Sequence, residues 1–263
     1  MKNDVLRSLL AIVVLLISSR SVIGKGFDPD GTIPDWEPNI WSYEGETGPA
    51  HWAALADAYK ECGEGLQQSP IDIGNALFSY LPPLSFNYHT SMVSIHRKPN
   101  QMWLEYDSGS HLKVGGKYYR FLGFDFHTPG EHSFRGSRPD MEIHLHHLSA
   151  SGEPLIVAIP VNGGHRKNIT LSRIWENIPE QRAHRINRRV GINAMFLLPA
   201  DRSYYTYQGS ETRPPCEEGV QWIVMQSPLR VSWEDIERFK SVLGANARDT
   251  QPLNDRVILS SAR

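Results

Sequence analysis

The stretch Phe121–His147 reads FLGFDFHTPGEHSFRGSRPDMEIHLHH. It contains two segments with strand-like alternation, joined by a connection rich in Gly, Pro and Ser. Asp125 and His127 stand two apart on the first segment, and Glu142, His144 and His146 stand two apart on the second. Residues at i and i+2 of a strand project from one face. If the two segments are neighbouring strands, imidazole and carboxylate groups from both converge on one patch of sheet. That donor set suits a borderline cation such as zinc, which takes three protein ligands and a water in catalytic sites. His-x-His pairs also arise on strands that bind nothing, so spacing alone does not decide the point.

Working outward, the whole chain has 263 residues, is 40% hydrophobic and carries a formal net charge of -2. A chain of this length readily forms one domain around one core. The near-neutral balance, with Lys and Arg scattered apart from a run at 182–189, argues against a nucleic-acid partner. Lys2 and Arg7 precede an unbroken apolar run, Leu9–Ile17, and Val22-Ile23-Gly24 supplies a cleavage-type sequence. Residues 1–24 therefore read as an export signal and 25–263 as the single mature domain. The apolar run falls short of the about 20 residues that a membrane span needs. No other segment could span, so the mature chain is expected without a transmembrane domain, in a secreted, periplasmic or other extracytoplasmic compartment. An uncleaved anchor is the alternative.

Short alternating runs at Leu84–Tyr88, Met92–His96, Met102–Tyr106, His111–Val114 and Lys117–Phe126 read as strands, separated by Asp107-Ser108-Gly109-Ser110 and Gly115-Gly116. Leu155–Val161 is continuously apolar and reads as a buried central strand. Ala53–Tyr59 is a short helical pattern, and Leu171, Ile174, Trp175 and Ile178 recur at helical spacing. Ser232 caps a further helix that turns Ile236, Phe239 and Leu243 inward. Met195–Leu198, Tyr204–Gln208 and Val220–Gln226 are strand-like.

Several segments, in order, resemble the α-class carbonic anhydrases. Trp41–Trp52 is similar to the family's Tyr-x-Gly…Gly-Pro-x-x-Trp entry, and Gln67–Ile73 to its Gln-Ser-Pro-Ile segment. Phe124–His127, Gly130–His132 and Glu142–His147 resemble its zinc-binding core, and Asn246–Arg256 its Asn-x-Arg-x-x-Gln-Pro-x-x-x-Arg ending. The resemblance implies an α+β, mainly β fold: a large twisted, mostly antiparallel central sheet with short peripheral helices. It also implies zinc-dependent, reversible hydration of CO2 to bicarbonate. His127 and His144 match two zinc ligands, and Glu142 matches the carboxylate that orients a ligand imidazole. Thr212 and Glu131 match the pair that orients the reactive water, Thr212 donating to the carboxylate. Tyr43 matches a tyrosine of the cavity water network, and Ile156 and Trp222 fall on the substrate pocket. Cys62 and Cys216, the only cysteines, stand where bacterial and plant members carry a disulfide, the expected state in an exported chain. Two free buried thiols are the alternative. Asn168-Ile169-Thr170 matches a glycosylation acceptor, of consequence only in a eukaryotic host.

The departures are as informative. Asp125 takes the place of the first zinc-ligand His, and Gly123 replaces the Gln that supports that His. Asp is a legitimate ligand, but it is shorter and anionic, which lowers the Lewis acidity of the ion. The proton-shuttle His aligns with Asn100, which does not titrate, leaving water, buffer or another histidine such as His96. His146 stands at a small apolar pocket position and is a candidate substitute ligand. Glu211 and Arg213 flank Thr212 in place of Leu and Thr, and could pair with each other, while Trp103 replaces a small polar residue. The leading expectation is a carbonic anhydrase with a modified Asp/His/His site, reduced activity and CO2 or bicarbonate as its small-molecule partner. A catalytically silent relative acting as a binding, structural or storage protein is the alternative, and a hydrolase using the same ion ranks last. Oligomeric state is not set by the sequence.

Overall fold

The computed structural model describes residues 40–99, 101–180 and 183–262. The export signal expected over residues 1–24 and the shuttle position Asn100 lie outside them. Thirteen strands follow one another: β1 (Leu77–Phe78), β2 (Ser85–Asn87), β3 (Ser91–Lys98), β4 (Gln101–Glu105), β5 (His111–Val114), β6 (Lys117–His127) and β7 (Met141–Ser149), then β8 (Pro154–Gly164), β9 (Ala183–Ile192), β10 (Tyr204–Ser210), β11 (Glu218–Met225), β12 (Leu229–Ser232) and β13 (Leu259–Ser260). Among the described residues four helices are interspersed: α1 (Trp52–Leu55), α2 (Glu61–Glu64), α3 (Ile169–Trp175) and α4 (Trp233–Leu243). None is long and apolar enough to cross a membrane.

The strands form one sheet in the order β1-β13-β10-β11-β8-β7-β6-β4-β3-β9, with β12 beside β8, and with β5 carrying β2 beside β6. Pairing is mostly antiparallel; β8 runs parallel to β11 and β12, and β1 to β13. β8 reads as a continuous apolar run because both its faces are covered. Leu155, Val157 and Ile159 join the core on the helix side, where Trp175, Ile236 and Phe239 pack. Ile156 and Ala158 join a second cluster with Trp222, Val224 and Tyr207 on the opposite face. β7 divides the same way: Ile143 and Leu145 enter the helix-side core, and Glu142, His144 and His146 face the other way.

Helix ends are set by local chemistry. Ser232 caps α4, its side chain accepting from Asp235 N, and Asp235 in turn accepts from Trp175 Nε1 at 2.9 Å, tying α4 to α3. Asn168 caps α3 by accepting from Thr170 N and Leu171 N, while its Nδ2 donates to Phe196 O at 2.8 Å. The sequon Asn168-Ile169-Thr170 thus has a structural use in the fold.

One segment expectation is corrected, and one strand went unread. Met195–Leu198 is not a strand: Ala194–Leu197 forms a 3-10 turn, capped by Asn193 accepting from Met195 N. Most of the basic run, from residue 183 on, lies on a strand missed in the sequence, β9, an edge strand that among the described residues pairs only with β3. An edge strand with charged side chains lacks the buried alternation by which inner strands announce themselves, and its Arg residues discourage further pairing.

His147 points away from the His144 face. Its Nε2 accepts from Tyr88 Oη at 2.7 Å, and its Nδ1 donates to Leu155 O at 3.3 Å. Burial holds its pKa down to about 3, with only weak help from neighbouring carbonyls toward the charged form. Because the folded pKa lies below the ordinary 6.5, the stabilisation is present above pH 6.5 and is lost as pH falls toward 3. The loss is on the order of 4 kcal/mol. His147→Gln, which keeps a donor and an acceptor but cannot protonate, should show a shallower fall in denaturant midpoint over that range.

Candidate metal centre

The site grows from the register of β6 against its neighbours. Asp125 lies directly opposite His144, His127 opposite Glu142, and Gly123 opposite His146. A bulge between Phe121 and Gly123 sets which β6 side chains face the site. Gly123 has φ +157, and a β-carbon there would meet Leu104 O and come within 2.6 Å of Trp103 Cζ2. The Trp103 indole therefore occupies the space where a longer residue at 123 would extend.

His127 donates Nδ1–H to Asn246 O at 2.9 Å. Its buried Nε2 has no hydrogen-bond partner among the described residues and lies 3.7 Å from Asp125 Oδ1. His144 donates Nε2–H to Glu142 Oε1 at 2.6 Å, which leaves Nδ1 as its lone-pair nitrogen. In their neutral forms both imidazoles are thus held in the tautomer whose lone pair faces the same buried space. Donors in a tetrahedral zinc site are separated by about 3.3 Å, so Asp125 Oδ1 and His127 Nε2 stand close to that spacing. Among the described residues Asp125, His144 and His146, and likewise His127, Glu131 and His144, bring one ligand atom each within 4.8 Å of one another; Asp125, His127 and His144 are of the donor types that zinc takes.

Behind these groups runs a buried polar chain. Glu142 also accepts from His132 Nδ1 at 2.7 Å and from His132 N at 3.0 Å; His132 Nε2 meets Tyr207 Oη at 2.7 Å, and Tyr207 Oη meets Ser69 Oγ at 3.0 Å. Burial alone would raise the Glu142 pKa, but His132, and then His144, hold it well below the usual carboxylate range. Burial and the neighbouring His127 lower the pKa of His144, favouring its neutral form. Trp222 packs edge-on against His132 and His144 at 4.9 Å and closes the wall, with Ile156 opposite His146.

Glu131, fully buried, accepts from Arg248 N at 2.8 Å through Oε1, while Oε2 has no hydrogen-bond partner among the described residues. The expected bond from Thr212 to that oxygen is therefore not made here, although Thr212 is buried. His127 feels this uncompensated charge. Burial lowers its pKa, but Glu131 and then Asp125 outweigh burial and raise it to about 9. The same charges favour a cation at this point, and at neutral pH an ion at Nε2 has to displace the proton they hold there.

The changed residues form a second set. Arg213 Nη1 donates to Asp125 Oδ2 at 3.0 Å, and His146 Nε2 donates to Asp125 Oδ1 at 3.0 Å. The pairing expected between Glu211 and Arg213 is corrected: the hydrogen-bonded ion-pair partner of Arg213 is Asp125, the more deeply buried anion. His146 likewise engages Asp125 through Nε2, and with Asp125 and His144 it forms a group whose ligand atoms lie within 4.8 Å of one another, so it stays a candidate ligand. Burial would raise the Asp125 pKa, but His146, His127 and Arg213 carry it well below the ordinary value. Tyr43 lies at this mouth; burial and then Glu131 push its pKa well up. Tyr43 packs with Trp41 and Trp52, and the Cys62–Cys216 disulfide joins the same cluster.

Sequence reasoning did not find Asn246, Tyr207 or Arg248. Their contributions run through a backbone carbonyl, a phenol reached across 75 residues, and a buried guanidinium bonded to Gln68, Ser69 O and Cys62 O. Asn246 and Arg248 lie in the tail whose pattern resembles the family ending, which was the available signal.

A histidine and carboxylate patch on one face of a large mixed sheet, with helices on the other, defines a candidate metal-site protein of mainly β architecture. A family model for eukaryotic-type carbonic anhydrase matches residues 47–262, and the chain belongs to that family. It is similar to a carbonic anhydrase of Nostoc sp., 34% identical over 255 residues that cover 94% of this chain and 96% of that protein. The solved Photobacterium profundum alpha-carbonic anhydrase matches with a TM-score of 0.78 at 37% identity, covering 83% of this chain and 99% of that one. Dioscorin dioA3 of Dioscorea japonica is 30% identical over 270 residues, covering 98% of this chain and 95% of that protein.

Proposed function

We propose that this chain is an exported carbonic anhydrase that hydrates CO2 reversibly through a zinc-type ion held by Asp125, His127 and His144. One observation carries the reading: with their opposite nitrogens engaged by Asn246 O and Glu142, His127 and His144 turn Nε2 and Nδ1 toward the space beside Asp125, where each offers a lone pair once its ring is neutral. When bound, the ion supplies Lewis-acid activation of a water molecule. Glu142 keeps His144 in its ligating tautomer and, with His132 and Tyr207 behind it, resists rotation of the ring. Glu131 Oε2 offers a free acceptor at the site, and Thr212 is the hydroxyl nearest in role. Trp222 and Ile156 keep one wall apolar, suited to an uncharged substrate such as CO2. Asp125 and Arg213 work against speed, the first by adding negative charge to the donor set, the second by competing for the same carboxylate. A rate below that of an all-histidine site follows.

A second reading, a binding or storage protein without turnover, is favoured by the Arg213–Asp125–His146 network, which already neutralises the carboxylate, and by the likeness to dioscorin. The zinc content of natively purified protein, together with stopped-flow CO2 hydration with and without chelator, separates the two. We expect close to one zinc per chain, chelator-sensitive hydration, and loss of both in His144→Ala. Folded protein with essentially no zinc and no hydration from neutral to alkaline pH overturns the enzyme reading.

A further inference from the structure

The active-site face of the sheet carries a second cluster of donors at its far edge. The register aligns Asp125 with Trp103, Trp103 with His96, and His96 with His184, one transverse row crossing β6, β4, β3 and β9. The adjacent row aligns Glu105 with Ser94. Residues directly opposite one another in an antiparallel pair share a face. His96, His184, Glu105 and Ser94 therefore project on the same side as Asp125, with the Trp103 indole between the two groups.

Their contacts are close. His96 Nε2 lies 3.3 Å from Glu105 Oε2, Ser94 Oγ lies 3.0 Å from His184 Nε2, and Ser94 Oγ donates to Glu105 Oε2 at 3.2 Å. The two imidazoles stack with centroids 3.7 Å apart and planes 12° from parallel. One ligand atom from each of His96, Glu105 and His184 lies within 4.8 Å of the others. The His96 and Glu105 side chains are 25% and 43% exposed, so a hydrated ion can reach them from solvent.

We propose that His96, His184 and Glu105 form a second binding site for a borderline divalent transition ion, of which Zn2+ is the probe. The donor set is two imidazoles and one carboxylate, the combination that binds such ions, with a solvent-facing fourth position. The Nε2–Oε2 distance already matches the about 3.3 Å edge of a tetrahedral zinc site. The ladder between β3 and β9 fixes the two histidine backbones, so small side-chain rotations suffice to bring both nitrogens onto the ion. Ser94, bonded to Glu105 and facing His184, orients the set. An ion here would clamp the edge strand β9 onto the sheet. This site shares no ligand with Asp125, His127 and His144, and does not rest on the enzyme reading.

The test is zinc titration by calorimetry of the full mature chain carrying His144→Ala, which removes a ligand of the other site. One Zn2+ should bind with micromolar affinity and raise Tm, whereas Ca2+, which prefers oxygen donors, should do neither. Adding His96→Ala or His184→Ala should weaken binding about 100-fold or more, and Ser94→Ala about tenfold. Cu2+ bound to the same variant should show spin-resonance coupling to two nitrogens. If His144→Ala does not fold, the unsubstituted chain is titrated instead, and His96→Ala should remove one weakly held ion. Absence of saturable uptake, or uptake unchanged by His96→Ala and His184→Ala, overturns the proposal.

Discussion

Arg213→Thr should lower the stability of the metal-free protein and, at the same time, tighten zinc binding. Arg213 holds Asp125 Oδ2 at 3.0 Å, and the Asp125 side chain is only 7% exposed against 22% for Arg213. Breaking a buried pair from one side leaves an uncompensated charge and costs about 3–5 kcal/mol. The lower end applies because the guanidinium keeps some contact with water, and His146 still donates to Asp125. A loss of about 3 kcal/mol lowers the Tm of a chain this size by about 6–12 °C. Zinc should more than recover it. The removed guanidinium is both a competitor for the carboxylate and a positive charge beside the ion, so affinity should rise at least about tenfold. Thermal melts in chelator and in zinc, with a competition titration, read both effects. Unchanged melting and unchanged affinity together would show that Arg213 does not govern Asp125.

Zinc uptake should be steeply dependent on pH, with its midpoint far above that of an ordinary histidine site. The His127 pKa is raised to about 9 because Glu131 and Asp125 outweigh burial. The imidazolium stabilises the metal-free fold fully below pH 6.5, and that contribution is lost as pH rises through 9. Ligation needs the neutral ring, so at pH 7 the ion must displace a proton held by about 2 pK units, or about 2.7 kcal/mol. The apparent dissociation constant should fall about tenfold per pH unit from 7 to 9 and then level off. Chelator-competition titrations at several pH values check this. In Glu131→Gln the plateau should begin at lower pH, since the largest charge favouring the imidazolium is gone. A flat profile in the unsubstituted protein would mean that His127 is not displaced from its proton by the ion.

The sequence made the fold legible because its signals are local and redundant. β5 at His111–Val114 is as expected, and β6, β7 and β8 carry two-residue alternation or continuous apolar runs that only buried strands need. β9 was not legible, since an edge strand dressed with Arg has no inner face to advertise. At the site, the convergence of Asp125, His127, Glu142 and His144 follows from two-residue spacing once the two strands pair. Their supports do not. Asn246 O is a backbone atom, which residue type cannot reveal, and Tyr207 and Arg248 reach the site only through tertiary contacts. The partner of Arg213 was missed for a related reason. Proximity in sequence suggested Glu211, whereas the fold brings Asp125, 88 residues away in the chain, within 3.0 Å of the guanidinium.

The indole of Trp103 lying across Gly123 has a historical consequence. A side chain at 123 would collide with Trp103 and with the carbonyl of Leu104, so that position cannot change until position 103 has become smaller and the strand has moved. Asp125→His would strand Arg213 without its anion. Changes at 123 and 125 toward a three-histidine centre are therefore harmful when made alone, and become open only after positions 103 and 213 have changed. Drift at this site works as a ratchet: a lineage that has acquired these four residues can refine what they do far more readily than it can return.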